Sequence, residues 1–152
     1  MSLQSAMVTY LTAQSGITNL ISTRLYPHGS VPERTANKAG QRVRVWVAQL
    51  PLITYEVRER SLHITSGHSG LSEGEITLHC YDQGPLKTIA LAEALRQEMD
   101  GFQNSTWGAT TIDSCTRRDS VTAYDPPTSG HDGRDRISVD YEVYYLESVP
   151  TF

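Results

Sequence analysis

Between Glu73 and Phe102 the spacing of apolar residues changes period once, and that change limits the folds open to the chain. From Glu73 to Tyr81 the sequence alternates, with Ile76, Leu78 and Cys80 on one side and Glu75, Thr77 and His79 on the other. A period of two predicts a strand with one buried face. Asp82-Gln83-Gly84-Pro85 supplies turn chemistry. Pro85 falls where a first helical turn tolerates it, because the N–H groups there have no intrahelical acceptor. From Leu86 the period lengthens: Leu91, Leu95 and Met99 recur every fourth residue, flanked by Ile89, Ala92 and Phe102, and Gly101 is placed to end a helix. Burying each such side chain stabilises by about 1.5–3 kcal/mol before the entropy of ordering is subtracted. A strand and a helix with one apolar face each pack together, so the expected unit is an α+β layer.

The rest of the chain is read outward from that unit. Leu3, Ala6, Met7, Tyr10 and Leu11 sit at helical spacing, with Ser2 to cap and Gly16 to end the helix near Ser15. Ile17 to Leu25 is short and mixed, with room for a helical turn at 19–22, and Leu25-Tyr26-Pro27 leads towards a sheet. Residues 28–41 read as a loop. Val43, Val45 and Val47 alternate with Arg42, Arg44 and Trp46 as a strand, which Leu50-Pro51 breaks. Ile53, Tyr55 and Val57 alternate with Thr54, Glu56 and Arg58 in a second strand ending near Arg60. Ser61 to Ser72 is polar and glycine-containing, with a hairpin tip at 66–70. Asn104 to Gly108 reads as a turn, and Ala109 to Arg118 as a strand. Residues 119–136 form a long Pro/Gly/Asp tip. Ile137, Val139, Tyr141, Val143 and Tyr145 mark the clearest strand. The expected fold is α+β: one domain over 1–152, with an antiparallel four- to five-stranded twisted sheet and two main helices packed on one face.

With 152 residues the chain is long enough for one domain with a core, and its net charge of −4 argues against general affinity for duplex nucleic acid. Residues 1–11 lack the charged and apolar regions of a signal peptide, and no apolar run approaches the roughly 18–20 residues that span a bilayer. Eleven arginines stand against two lysines. Arginine is favoured at protein interfaces, and a biased genome composition gives the same excess. The two cysteines, Cys80 and Cys115, form no CxxC. Regular strands place Cys115 opposite in parity to Ile112, so the two thiols are expected to face opposite sides, to stay reduced, and to belong to a protein folded inside a cell.

No residue pattern declares a catalytic site. His28, His63, His68, His79 and His131 are scattered, without HExxH or zinc spacing. A His79/Asp113 pair is the one metal site the strand order suggests, and a small metal-dependent hydrolase built on it is the alternative from another functional class. Ser66-Gly67-His68-Ser69-Gly70 lacks the ending of a phosphate loop, no GxSxG is present, and Asp132 to Asp140 lacks calcium-loop spacing. The expectation is no catalytic residue, no cofactor and no metal. The informative feature is an exposed face carrying Arg42, Arg44, Trp46, Arg58, Arg60 and Tyr144, with Asp132 and Arg134 on a charged loop. Trp, Tyr and Arg are the types enriched at binding hot spots, so these residues are the expected partner contacts. A single-stranded nucleic-acid platform is disfavoured by the charge and by the absence of an RNP-type aromatic motif. A second layer of the chain's own fold over this face is the remaining reading.

Taken together in order, several short segments resemble the tail completion, or tail terminator, proteins of long-tailed bacteriophages. They are Arg24-Leu25-Tyr26-Pro27 after the first helix, Leu50-Pro51-Leu52-Ile53-Thr54-Tyr55, Ser69-Gly70-Leu71, Leu78-His79-Cys80-Tyr81-Asp82, Leu91 to Arg96 with Met99-Asp100-Gly101-Phe102, and Tyr124-Asp125-Pro126 followed by Ile137 to Val143. The segment from His28 to Gln49 departs from the pattern by its length. The resemblance implies a non-enzymatic virion protein made in the host cytoplasm. It would act as a ring, commonly of six copies, at the junction of tail and neck. Its implied partners are itself, the tail tube protein and a neck or head-completion protein, with no membrane and no sequence-specific nucleic acid. Another head–tail connector or a minor tail component is the neighbouring possibility.

Overall fold

The computed structural model describes residues 2–38, 40–47, 49–64, 67–126 and 133–146, with side chains at all of these except 38, 41, 61–64, 67–71 and 102–104. In chain order the elements are α1 (Leu3–Thr12), α2 (Ser15–Ile21), β1 (Leu25–Pro27), β2 (Glu33–Lys38), β3 (Gln41–Trp46), β4 (Leu52–Ile64), β5 (Gly67–Asp82), α3 (Pro85–Met99), β6 (Phe102–Trp107), β7 (Thr110–Asp125) and β8 (Arg134–Leu146). Six strands form one sheet in the order β1-β4-β5-β8-β7-β6, and β2 and β3 form a separate hairpin. The architecture is α+β, but the sheet is mixed: β1 runs parallel to β4, with Leu25 opposite Ile53, while every other pairing is antiparallel.

The central strand–turn–helix forms as the period change predicts. Ile76, Leu78 and Cys80 are fully buried, and Leu91, Leu95 and Met99 of α3 lie over the same core. Gly84 precedes Pro85 with a φ of 100°, and Gly101 follows the helix with a φ of 74°, so each occupies backbone space that a side chain would disfavour. The Asp135 carboxylate accepts the Gly84 N–H at 3.0 Å and ties the start of α3 to β8. Ile89 departs from expectation: it is 53% exposed, one residue off the buried stripe that begins at Thr88.

Helix α1 buries Leu3, Ala6, Met7 and Leu11, and the Ser2 hydroxyl accepts the Ser5 N–H at 3.1 Å. It ends at Thr12, earlier than Gly16 suggests, and Gly16 instead starts α2, where an added Cβ would lie 3.1 Å from a Glu98 carboxylate oxygen on α3. Gly74 has the same purpose in the sheet. A Cβ built there would lie 2.1 Å from Leu3 Cδ2, so the bare backbone is what lets α1 settle onto β5.

Four segments expected as loops or turns contain strand. Residues 33–38 pair with β3 in a hairpin outside the main sheet, so the Arg42/Arg44/Trp46 strand is not a member of that sheet. The expected turn at 104–108 falls largely within β6, whose Trp107 is fully buried and stacks on Tyr10 at 5.5 Å. Of the tip placed at 119–136, residues 119–125 and 134–136 are strand, because β7 and β8 stay paired out to Asp125 and Arg134, and 127–132 lie outside the described residues. Likewise β4 and β5 remain paired to Ile64 and Gly67. The last paired residues of these two long hairpins lie at opposite ends of the sheet, since Leu71 of β5 lies beside Leu146 of β8 and Asp82 beside Asp135.

Cys115 faces the side opposite to the one expected, and a bulge is the cause. The β7–β8 register shifts between Ile112 and Ser114, which reverses the parity of the residues beyond it. Ile112 and Cys115 therefore both point into the core, on the same side of the sheet as Cys80. The cysteines are free, and burial pushes each thiol up to about 12.

Candidate assembly surface and a histidine cluster

Helices cover one face of the sheet, and the opposite face is largely open. Alternation and register place Arg60, Arg58, Glu56 and Thr54 of β4 beside Glu73, Glu75, Thr77 and His79 of β5, and these beside Tyr144, Glu142, Asp140 and Ser138 of β8. The centre of this face is a shallow trough of about 410 Å³, where Glu56, Glu73, Glu75, Asp140 and Glu142 outnumber Arg58 and Arg118. Arg60 pairs with Glu73 at 2.5 Å, and Arg118 pairs with Glu142. The Tyr144 hydroxyl donates to Glu142 at 2.6 Å, which together with Arg118 holds the Glu142 carboxyl below the usual glutamate range. The same bond pushes the Tyr144 phenol up.

At the β1 end of the face the chain supplies its own cover. The hairpin docks there through Trp46, which meets Tyr81 edge-on at 5.1 Å, while the Arg134 guanidinium lies 3.5 Å above the Trp46 ring. Val31, Leu52 and Tyr81 form a small buried cluster beneath, with Tyr26, Trp46 and Leu50 packed on it. A cationic plane over an indole contributes about 0.5–1 kcal/mol when exposed and more when desolvated.

The expected contact residues thus fall into separate places. Arg58, Arg60 and Tyr144 belong to the open face. Arg42 and Arg44 stay exposed on the hairpin, Arg44 reaching Glu33 at 3.2 Å. Trp46 and Arg134 engage each other in the seam between hairpin and sheet. Asp132 lies outside the described residues. The sheet edges were not foreseen. Among the described residues, β4 beyond Tyr55 and β7 beyond Cys115 are paired on one side only, because β1 and β6 are short. The β7 edge also shows Val121 and Tyr124, each more than half exposed.

His79 and Asp113 do not come together. His79 lies across from Ser138, and Ser138 from Val121, eight positions along β7 from Asp113, or about 26 Å at the rise of a strand. His79 instead meets two residues that spacing alone does not connect to it. Its Nε2 is 3.0 Å from Glu56 Oε2, its Nδ1 is 2.6 Å from Ser138 Oγ, and its ring lies 4.5 Å from that of His28. His28 Nδ1 is 3.2 Å from Thr54 Oγ1, and the His28 N–H donates to Tyr55 O at 2.9 Å. The bond from His79 holds the Glu56 carboxyl below its ordinary value. Glu56 shares parity with Arg58, so its outward direction was readable. Nothing in the sequence pointed to His28.

No protein-family model and no curated protein sequence matches the chain. Among solved structures, it is similar to a chain from the virion of a native gene transfer agent particle, with a TM-score of 0.67 and 13% identity over 96% of both chains. Over nearly its whole length, then, the chain has the fold of that virion chain.

Proposed function

We propose that this chain is a structural, non-enzymatic protein of a phage-like virion, and within that class a tail terminator that forms a ring at the junction of tail tube and neck. The observation that carries the reading is the end-to-end likeness in fold to a chain of a gene transfer agent virion, covering 96% of each. The resemblance of the Leu50–Tyr55 and Leu78–Asp82 segments to tail completion proteins points the same way.

The surfaces suit such a role. A ring needs one patch to meet an unlike patch on the next copy, with a rotation that closes. The half-paired edges of β4 and β7 are unlike: one carries Glu56, Arg58 and Arg60, the other Val121 and Tyr124. An open trough of carboxylates and the exposed Arg42 and Arg44 add opposite charges for stacked neighbours. The partners on this reading are further copies, the tube protein and a neck protein.

Mixing the purified chain with polymerising tail-tube subunits tests the role. A terminator yields shorter tubes, each carrying a ring at one end. Tubes unchanged in length and without end density overturn tail capping. Binding to the head portal in that case assigns the chain to the neighbouring connectors.

A further inference from the structure

We propose that His28, Glu56 and His79 form a binding site for a zinc-class divalent metal on the open face of the sheet. One donor atom from each of the three lies within 4.8 Å of the other two. Around a tetrahedral zinc with bonds of about 2.0–2.1 Å, donors stand roughly 3.3–3.5 Å apart. The Glu56–His79 pair is already at 3.0 Å, so closure asks chiefly for a small approach by His28. His28 and Glu56 are both exposed, so there is room for that adjustment, which would trade the His28 contact with Thr54 for the metal.

The setting of His79 supports the assignment. It is 9% exposed, and its Nδ1 is held by Ser138 Oγ at 2.6 Å. A serine hydroxyl both donates and accepts, so it supports either tautomer of the ring. When it accepts from Nδ1–H, the Nε2 lone pair is directed at Glu56 and the metal position. An outer-shell hydrogen bond of this kind fixes ring orientation and raises ligand basicity. Two imidazoles and one carboxylate suit zinc, cobalt or nickel, whereas magnesium and calcium select oxygen donors. Three protein donors leave a fourth position to water. The ligands come from three pieces of chain: the turn after β1, β4 and β5. A bound ion therefore clips the start of the hairpin connection to the sheet. Metal binding at this place does not depend on the virion role.

The test titrates chelator-treated full-length protein with Zn²⁺ by calorimetry and with Co²⁺ by visible absorption. About one equivalent should bind at this site, give cobalt ligand-field bands of four- or five-coordinate type, raise the Tm with metal concentration, and resist competition by Mg²⁺ or Ca²⁺. Ser138→Ala should weaken binding about 10- to 100-fold as an outer-shell loss, and His28→Ala or Glu56→Gln by more than that. His28 and Glu56 are exposed, so both variants should keep the wild-type circular dichroism. The wild type failing to bind Zn²⁺ overturns the proposal. So does an equivalent retained undiminished by both variants.

Discussion

The two faces of the sheet are built from the same strands and meet opposite fates. On the helix side, Ile76, Leu78, Val139, Tyr141 and Val143 are sealed beneath α1 and α3. On the other side, the intervening Glu75, Thr77, Asp140 and Glu142 stand over an open trough. Alternation therefore divides the work: the covered face makes the chain a stable object, and the open face is free to be shaped by what it meets. Substitutions on the two faces should separate accordingly.

The largest contrast is Leu95→Ala against Glu75→Gln. Leu95 is fully buried, and its truncation should cost about 2–5 kcal/mol in urea unfolding. Exposed Glu75 should change stability by no more than about 0.5 kcal/mol. Equal effects would mean that the open face is a structural layer too.

A smaller effect probes the fit of helix to strand. Gly74→Ala forces a Cβ against Leu3 and should cost about 1–3 kcal/mol by overpacking. Leu3→Ala in the same chain should return part of that loss, so the double variant is less damaged than the two singles summed. Strict additivity would show that α1 approaches the sheet for some other reason.

The smallest effect belongs to the open face and depends on pH. The folded-state Glu142 carboxyl lies below its ordinary value because of Tyr144 and Arg118. Its contribution is therefore present above the unfolded carboxylate pKa and fades as pH falls through the lowered one. Glu142→Gln should lower stability slightly at neutral pH and converge with the wild type in acid, so that the acid limb of its stability profile is flatter. An unchanged acid limb would show that these contacts are solvent-screened to nothing.

Legibility in the sequence divides along the same two faces. Periodicity reports burial, so β5, α3, α1 and β8 were legible from Ile76, Leu91, Leu3 and Val139. The β2 strand was not, because Glu33 to Lys38 is polar on both sides apart from Ala36, and its pairing with β3 is what makes it a strand. The polar continuations of β4 and β7 were hidden in the same way. Cys115 was misfaced because one bulged residue reverses parity without altering composition. The candidate site was least legible. Arg58 and His79 were read as outward, but the register that sets His79 beside Glu56, and the fold-back that brings His28 to them, are tertiary facts with no periodic trace. Trp46 and Arg134 drew notice as binding types, and within the chain they bind each other.

The last paired residues of the two long hairpins, Ile64 with Gly67 and Asp125 with Arg134, give the chain two ends that differ in sequence. Copies arranged side by side with a common orientation then offer two dissimilar rims. If the chain stacks as the proposed function requires, a part with dissimilar rims can be inserted only one way up, and direction along the axis would be written into each chain before any neighbour arrives.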